Sequence, residues 1–485
     1  MKTDVRPDPA EVHSEYPPIL CVDLDGSLVA TDTLWESLLI LARTDFWALF
    51  LLPAWLVQGR AHLKQEVGKR VSLRPELLPY RSDVIDYLRE QRSFGRKIVL
   101  ITAADESIAC SVSQFLEIFD EVLASDGRNN LKGPAKTQAL VERFGAGGFS
   151  YLGDSAADEA VWQQAGAALT VGRRHPASAA IPIEKKFAAR RASISDYIRA
   201  LRIHHWAKNV LLLLPLLLAH RFTVARVSQI LLATILFGLA ASSIYVFNDL
   251  LDLQSDRKHP WKARRPLASG RIPIPTGIVL FAVSFLLFLV CGELAVGWRF
   301  VGLTLAYCVL SLAYSLRLKR IVLLDVFILS SFYGIRLFIG AVVTNVPLSH
   351  WFLAFSGFFF FSLAMAKRYS ELLHAGELVE TKNSGRNYRL DDRPLLSMFG
   401  IGSAFAAVVI LALYIQSPDV LLLYPRPFSL LALCPLLLYW VCRIWLIAHR
   451  GKLRDDPVVM AARDPISYAI LACALLSIAI SFRMK

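Results

Sequence analysis

Apolar and polar positions divide the chain into two regimes. Through about residue 190, short apolar runs alternate with mixed, charged stretches; beyond it, long uncharged runs alternate with short basic loops. In the first regime Ile19–Asp23, Lys97–Thr102 and Ser150–Asp154 read as short buried strands with helix-like segments between them. Strands alternating with helices predict a parallel α/β sheet. An insert at about residues 34–87 separates the first two strands and contains the apolar piece Phe46–Gln58. At about thirteen residues this piece is too short to span a bilayer. It reads either as a helix buried inside a cap or as part of a cap that rests on a membrane and receives a lipid-linked substrate.

The second regime opens with Arg173–Arg202, a linker rich in Arg, Lys, Ala and Ser whose tail, Ile194–Ile203, reads as an interfacial helix. Apolar runs follow near 209–220, 227–247, 273–292, 300–316, 321–343, 350–366, 395–415, 428–448 and 466–482. They predict an all-α polytopic membrane domain of about nine transmembrane helices. The expected division is a soluble domain over 1–190, a basic interfacial linker over 191–208 and a membrane domain over 209–485.

Charge sharpens this picture. The net charge of +13 lies mostly in loops between apolar runs, which fits anionic headgroups and phosphorylated substrates better than nucleic acid. Loops after the second, fourth, sixth and eighth runs carry Arg257, Lys258, Lys262, Arg264 and Arg265, then Arg317, Lys319 and Arg320, then Lys367 and Arg368, then Arg450, Lys452 and Arg454. The opposite loops hold only Arg221, Arg226, Arg299 and Arg426. The positive-inside rule then predicts a multi-pass protein of the cell (inner) membrane, its N-terminal half cytoplasmic and its C-terminus outside. The first eighteen residues lack the apolar core of a secretory signal. Seven scattered cysteines without a CxxC pair indicate neither a zinc site nor a disulfide framework.

Candidate chemistry in the first half sits at strand ends, where open α/β sheets bind ligands. The first strand runs into DLDGS, Asp23 to Ser27. One of its two carboxylates can attack phosphorus, and the other can protonate a leaving alcohol and then activate water. Thr102 offers a hydroxyl to a phosphoryl oxygen, Lys136 a countercharge, and GDSAAD supplies Asp154 and Asp158 for Mg²⁺. Four pieces in this order resemble the haloacid dehalogenase superfamily of phosphatases over about residues 17–180. The resemblance implies a Rossmann-like fold with a small helical cap, Asp23 as nucleophile, Asp25 as acid/base, Thr102 and Lys136 as phosphate ligands, and Mg²⁺ held by Asp154, Asp158 and Asp23. Ser27 departs from the commoner Thr but keeps the hydroxyl.

In the second half, NDLLDLQSD starts at Asn248, at the end of a long uncharged run. Helical spacing places Asn248, Asp252 and Asp256 on one face with Asp249 one position round. Carboxylates at a membrane helix end are costly unless they bind a cation, and hard oxygens suit Mg²⁺ carrying a diphosphate. This run and the following RKHPWKARRPLASG resemble the first signature of the UbiA-type prenyltransferase superfamily. The resemblance implies Mg²⁺-diphosphate on Asn248, Asp252 and Asp256, supported by Asp249, with Lys262, Arg264 and Arg265 balancing the leaving group. The superfamily usually carries a second Asp-rich motif after the sixth span. Here the segment reads AMAKRYSELLHAGELVE and offers Lys367, Arg368, Tyr369 and Glu371. With HHWAKN (Lys208, Asn209), AYSLRLKR (Tyr314, Lys319) and the GRNYRLDD loop, the variant resembles the subgroup containing decaprenyl-phosphate phosphoribosyltransferases. Phosphoribosyl diphosphate is then the implied donor and a polyprenyl phosphate the implied acceptor. Lys208, Lys319, Lys367 and Arg368 are candidates for the two sets of phosphates, or else interfacial cations. Arg336, inside an apolar run, either binds substrate or pairs with Asp325.

The expected activity is therefore bifunctional: Mg²⁺-assisted transfer of 5-phosphoribose to a polyprenyl phosphate, then removal of the 5-phosphate by the fused phosphatase. The alternative is a prenyltransferase moving a polyprenyl group from its diphosphate to an aromatic acceptor. A transporter or scaffold is disfavoured because its charges would sit at mid-membrane.

Overall fold

The computed structural model describes residues 16–188, 192–220, 222–377, 387–453 and 456–482. The first fifteen residues, Arg221, Arg454 and the start of the GRNYRLDD loop lie outside the described residues. Two compact units form, one from Met1–Leu201 with Tyr245–Phe281, the other from Arg202–Ile244 with Ala282–Lys485.

In the first unit six parallel strands make one sheet: β1 Ile19–Val22, β2 Lys97–Asp105, β3 Glu121–Ser125, β4 Phe149–Gly153, β5 Ala167–Val171 and β6 Ile183–Phe187, in the order β3-β2-β1-β4-β5-β6. The predicted strands are present, but β2 continues three residues past Thr102. Near-continuous apolar runs such as ILCV and KIVLI suit strands covered on both faces. The order reverses beside β1, whose neighbours are β2 and β4, so the ends of β1 and β4 open on a topological switch point.

The insert forms helix α1 (Thr33–Thr44), a 3-10 turn Phe46–Leu51, a short helix Leu52–Val57 and helix α2 (Arg60–Arg70). Asp32 caps α1 by accepting from the Leu34 and Trp35 amides. The expected cap boundary near Tyr87 falls within the later helix α3 (Ser82–Ser93), whose Val84 and Leu88 pack into the sheet core. Within the expected linker a helix forms over Ile194–Ala200, started by a Ser193/Asp196 capping box.

Residues 245–281 of this unit hold the end of one long apolar helix and the start of another. Val246, Leu250, Leu253, Leu267, Ile272 and Ile274 form a core with Trp35 and Leu39 of α1 packed against it. An ion pair ties the same parts together. Arg257 reaches both oxygens of Glu36, at 2.6 and 3.1 Å, and also donates to the Leu77 and Ala268 carbonyls. Both partners are buried, so removing either one strands a charge, a loss of about 3–5 kcal/mol.

The second unit is helical. Among the described residues, seven helices are long and apolar enough to cross a membrane: Val224–Leu251, Ile274–Ala295, Trp298–Leu316, Leu324–Thr344, His350–His374, Leu390–Ile415 and Pro427–His449. The expected nine is thus corrected to about seven. The run near 209–220 folds as a 3-10 helix, Ile203–Leu213, before a six-residue α-helix with Pro215 in its first turn, so no long helix forms there. The last run forms a shorter apolar helix, Pro465–Ser481.

Candidate functional site

Asp23 follows the last residue of β1 and Asp154 the last residue of β4, so strand pairing alone brings them together. The Asp23 amide donates to Leu152 O at 3.1 Å. Gly26 makes the turn that follows Asp23: its φ is +80°, and a Cβ there would stand 2.3 Å from Asp154 Oδ2. Lys136, at the start of helix Pro134–Phe144, donates to Asp23 Oδ1 at 2.6 Å and Tyr151 OH at 3.0 Å. Asp25 is oriented by α1, accepting from Thr33 N at 2.8 Å and Thr33 Oγ1 at 3.3 Å.

Asp23, Asp154 and Asp158 can each present an oxygen within 4.8 Å of the others, a hard-oxygen set that fits Mg²⁺. Asp158 has other duties. One oxygen accepts from Tyr151 OH at 2.6 Å, the other from the Asp154 and Ser155 amides and Ser155 Oγ, which fixes the loop carrying Asp154. Thr102 is fully buried, its Oγ1 accepting from the Ala104 amide, and Ala103, Ala104 and Asp105 form the cavity wall instead.

The cavity of about 920 Å³ is lined by Asp23, Asp25, Lys136, Asp154 and Asp158. Sequence reading missed further cations in it, among them Lys64 and Arg81. Lys64 of α2 donates to Ala103 O at 2.5 Å and Asn130 Oδ1 at 3.0 Å; Arg81 donates to Gly26 O at 3.1 Å. No local pattern marks either one.

Burial pushes Asp23 up to about 6 against the pull of Lys136. Burial, with the Asp32 charge nearby, pushes Asp25 up to about 7, and burial plus Asp23 and Asp158 pushes Asp154 up to about 7. A carboxyl raised on folding binds more protons in the folded state, so the metal-free unit loses stability as pH climbs from about 4 through 7. Hydrogen exchange of the β1 and β4 peptides in the full chain is expected to quicken from pH 5 to 7.5 after correction for intrinsic rates. Mg²⁺ is expected to suppress that increase. Metal-insensitive, pH-independent opening would count against this cluster as a cation site.

The second acidic group lies at residues 248–256. Its helix breaks at Asp252, yet the four-residue ladder continues: the Asp252 amide donates to Asn248 O at 3.0 Å and the Asp256 amide to Asp252 O at 2.8 Å. Arg265 Nη1 bridges Asp249 at 2.9 Å and Asp256 at 2.5 Å, while Arg43 holds Asp252 at 2.9 Å. Burial raises Asp256 above its ordinary range, opposed by Arg265. Lys262 and Arg264 are exposed nearby, Arg264 lying over the Trp261 ring. Arginines thus carry the countercharge here.

In the second unit Lys208 and Lys367 converge on a residue that sequence reading missed. Asp456 Oδ2 accepts from Lys208 at 2.7 Å, Lys367 at 3.3 Å and Tyr333 OH at 2.8 Å. Its only local signal, Asp before Pro457, reads as a helix start, and Asp456 does cap Pro457–Ala461. Arg368 is buried between Asp325, at 2.6 Å, and Glu371, with Tyr314 OH at 3.4 Å. Arg336 therefore does not pair with Asp325. It reaches Asn209 Oδ1 at 3.2 Å and Tyr307 OH at 3.0 Å. Gly340, one turn on, permits this: a Cβ there would lie 2.1 Å from Leu212 O. Tyr369 bonds His449 at 2.9 Å, and Lys319 lies in the turn Leu318–Arg320.

Residues 210–462 match the UbiA prenyltransferase family model. The chain is 38% identical over 468 residues to an uncharacterized protein, y4nM, of Sinorhizobium fredii, covering 93% of this chain and 89% of that one. It is 37% identical over 284 residues to the nodulation protein NoeC of Azorhizobium caulinodans, covering 58% of this chain and 90% of NoeC. Identity to a decaprenyl-phosphate phosphoribosyltransferase of Mycobacterium tuberculosis is 34% over 188 residues, 37% of this chain and 61% of that enzyme. With the family model matched across more than half of its length, this chain, a multi-pass membrane protein, belongs to the UbiA prenyltransferase family.

Proposed function

We propose that the chain is a bifunctional enzyme that moves 5-phosphoribose from phosphoribosyl diphosphate to a polyprenyl phosphate and then removes the 5-phosphate, giving polyprenyl-phosphoryl ribose. One observation carries the pairing of activities. The cavity holding Asp23, Asp25, Lys136 and Asp154 is also walled by Gly270 and Arg271, from the loop that follows NDLLDLQSD, and by Ile274, which starts the next helix. The similarity to a decaprenyl-phosphate phosphoribosyltransferase supports the choice of donor and acceptor.

In the transfer step, Asn248, Asp249, Asp252 and Asp256 would hold Mg²⁺, which would supply positive charge to the departing diphosphate. The bond from C1 of ribose to diphosphate breaks as a lipid phosphate oxygen bonds to C1. No strong base is needed, because the nucleophile is already an anion. Lys262, Arg264 and Arg265 take up charge on the leaving group, and Lys208, Lys319 and Lys367 serve the acceptor and sugar phosphates. Asp456 and Tyr333 position Lys208 and Lys367. Arg368 is a positioning residue, since Asp325 and Glu371 already engage it. An apolar cavity of about 600 Å³, lined in part by Phe352, Phe355, Phe359 and Trp440, accommodates part of the polyprenyl chain.

The second step is that of a haloacid dehalogenase-type phosphatase occupying the first unit. The Asp23 carboxylate bonds to phosphorus as the bond to the sugar oxygen breaks, and Asp25 gives that oxygen its proton. Asp25 then takes a proton from water as the water's oxygen bonds to phosphorus, freeing Asp23 and inorganic phosphate. A carboxyl pushed up to about 7 suits this exchange at neutral pH. Lys136 neutralises charge beside Asp23. Asp23 and Asp154, steadied by Asp158, would hold the Mg²⁺ that supplies charge to the phosphoryl oxygens. Basic loops bordering the apolar helices support a cytoplasmic position for both sites.

The test is direct. Purified enzyme given ribose-labelled phosphoribosyl diphosphate, Mg²⁺ and polyprenyl phosphate is expected to form labelled lipid. Indifference to that donor, together with turnover of an isoprenoid diphosphate and an aromatic acceptor, would establish the prenyltransferase reading instead.

A further inference from the structure

The twelve residues Phe46–Val57 contain no charge, yet most of their large side chains face outward. Trp55 and Ala48 turn inward against Leu41 and Val67. Phe46, Trp47, Phe50, Leu56 and Val57 are 58, 77, 68, 52 and 88% exposed. The Phe46, Trp47 and Phe50 rings cluster with centroids 5.9 to 6.1 Å apart. A contiguous aromatic patch of this kind marks an interaction surface.

Its position names the partner. Arg43, three residues before the patch, donates to Leu251 O at 3.2 Å and to Asp252 Oδ1 at 2.9 Å. Leu251 ends the apolar helix Val224–Leu251, so the patch begins beside the end of a membrane span. Trp and Phe flanked by Arg43 and Arg60 are what the headgroup layer accommodates: rings at the acyl boundary, cations at the phosphates. On its inner side the patch leads into the cavity, whose wall includes Leu56, Arg60, Leu63 and Lys64.

We propose that Phe46–Val57 is an interfacial anchor lying in the headgroup layer of the bilayer, and that a phosphomonoester borne on a membrane lipid passes along it into the Asp23 cavity. The entry route rests on the phosphatase reading; the anchor does not. The lipid tail stays in the bilayer while only the polar head enters, so the extraction of a polyprenyl chain into water is avoided.

A benzoylphenylalanine photoprobe placed at Trp47 or at Phe50 in the full chain, reconstituted in phosphatidylcholine–phosphatidylglycerol nanodiscs, tests the anchor. Illumination is expected to give an adduct heavier by one phospholipid, and the same probe at Glu90 none. Chain-to-chain adducts would reassign the patch to a second copy, and probes that capture no lipid would overturn the anchor. A W47D/F50D double variant tests the route. Its kcat/KM for a lipid-linked phosphomonoester is expected to fall roughly tenfold, and that for p-nitrophenyl phosphate to stay within about twofold. Equal losses on both substrates, or none on the lipid, would overturn the route. If the unsubstituted enzyme hydrolyses neither, the phosphatase reading fails, and the photoprobe still decides the anchor.

Discussion

In a D23N variant, dephosphorylation is expected to stop while ribosyl transfer continues, so the lipid product accumulates with its sugar phosphate attached. Asn keeps the size and the acceptor that Lys136 Nζ meets at 2.6 Å, but it lacks the charge and nucleophilicity of a carboxylate. Loss of a covalent nucleophile costs on the order of a thousandfold or more in kcat. A D25N variant behaves differently. Its nucleophile remains, so the expected defect is proton transfer, on the order of a hundredfold or more, most severe where the leaving alcohol is a poor one. A good leaving group such as p-nitrophenolate is therefore expected to restore the first step in D25N and leave D23N inert. Mass spectrometry of the two products, with and without the terminal phosphate, separates these outcomes. Unchanged dephosphorylation in D23N would remove the phosphatase assignment from this unit, and loss of transfer as well would show that the substitution damages more than one site.

What the sequence discloses about these sites follows from how locally each feature is encoded. Asp23 and Asp154 are legible because each directly follows a buried apolar strand, and parallel pairing of β1 with β4 does the rest. The 248–256 motif is legible because its spacing survives a break in the helix at Asp252. Contacts across long stretches of chain leave no such trace. Lys64 comes from the insert, Arg257 meets Glu36 across 221 positions, and Asp456 meets Lys208 across 248. A residue can also be hidden by a simpler role, as Asp456 is by its Asp-Pro helix start. Hydropathy overcounts spans for a related reason: it registers that residues near 209–220 are apolar, but not that Pro215 and a 3-10 turn keep them from one continuous helix. Where sequence left two readings for Phe46–Gln58, the exposed Trp47 and Phe50 rule out burial of the whole piece inside a cap.

Replacing Asp252 by Ala is expected to abolish transfer, with a loss on the order of a hundredfold to a thousandfold in kcat/KM, and to leave hydrolysis of p-nitrophenyl phosphate intact. Asp252 is the informative position because it is only half-buried, and Arg43, which pairs with it, is itself well exposed. The substitution therefore removes the oxygens proposed to ligate Mg²⁺ without stranding a buried charge. Asp256 offers a weaker inference. It is buried against Arg265, which also bonds Asp249, so D256A disturbs an ion network along with any metal site. If these carboxylates hold Mg²⁺, the D252A defect shrinks as Mg²⁺ is raised, because weaker ligation is offset by mass action. A defect insensitive to Mg²⁺ would point instead to the Arg43 contact and the alignment of α1. Transfer at the unsubstituted rate in D252A, at low and high Mg²⁺ alike, would mean that diphosphate departs without this acidic run, and the reading of the membrane half as an Mg²⁺-diphosphate site would have to be given up.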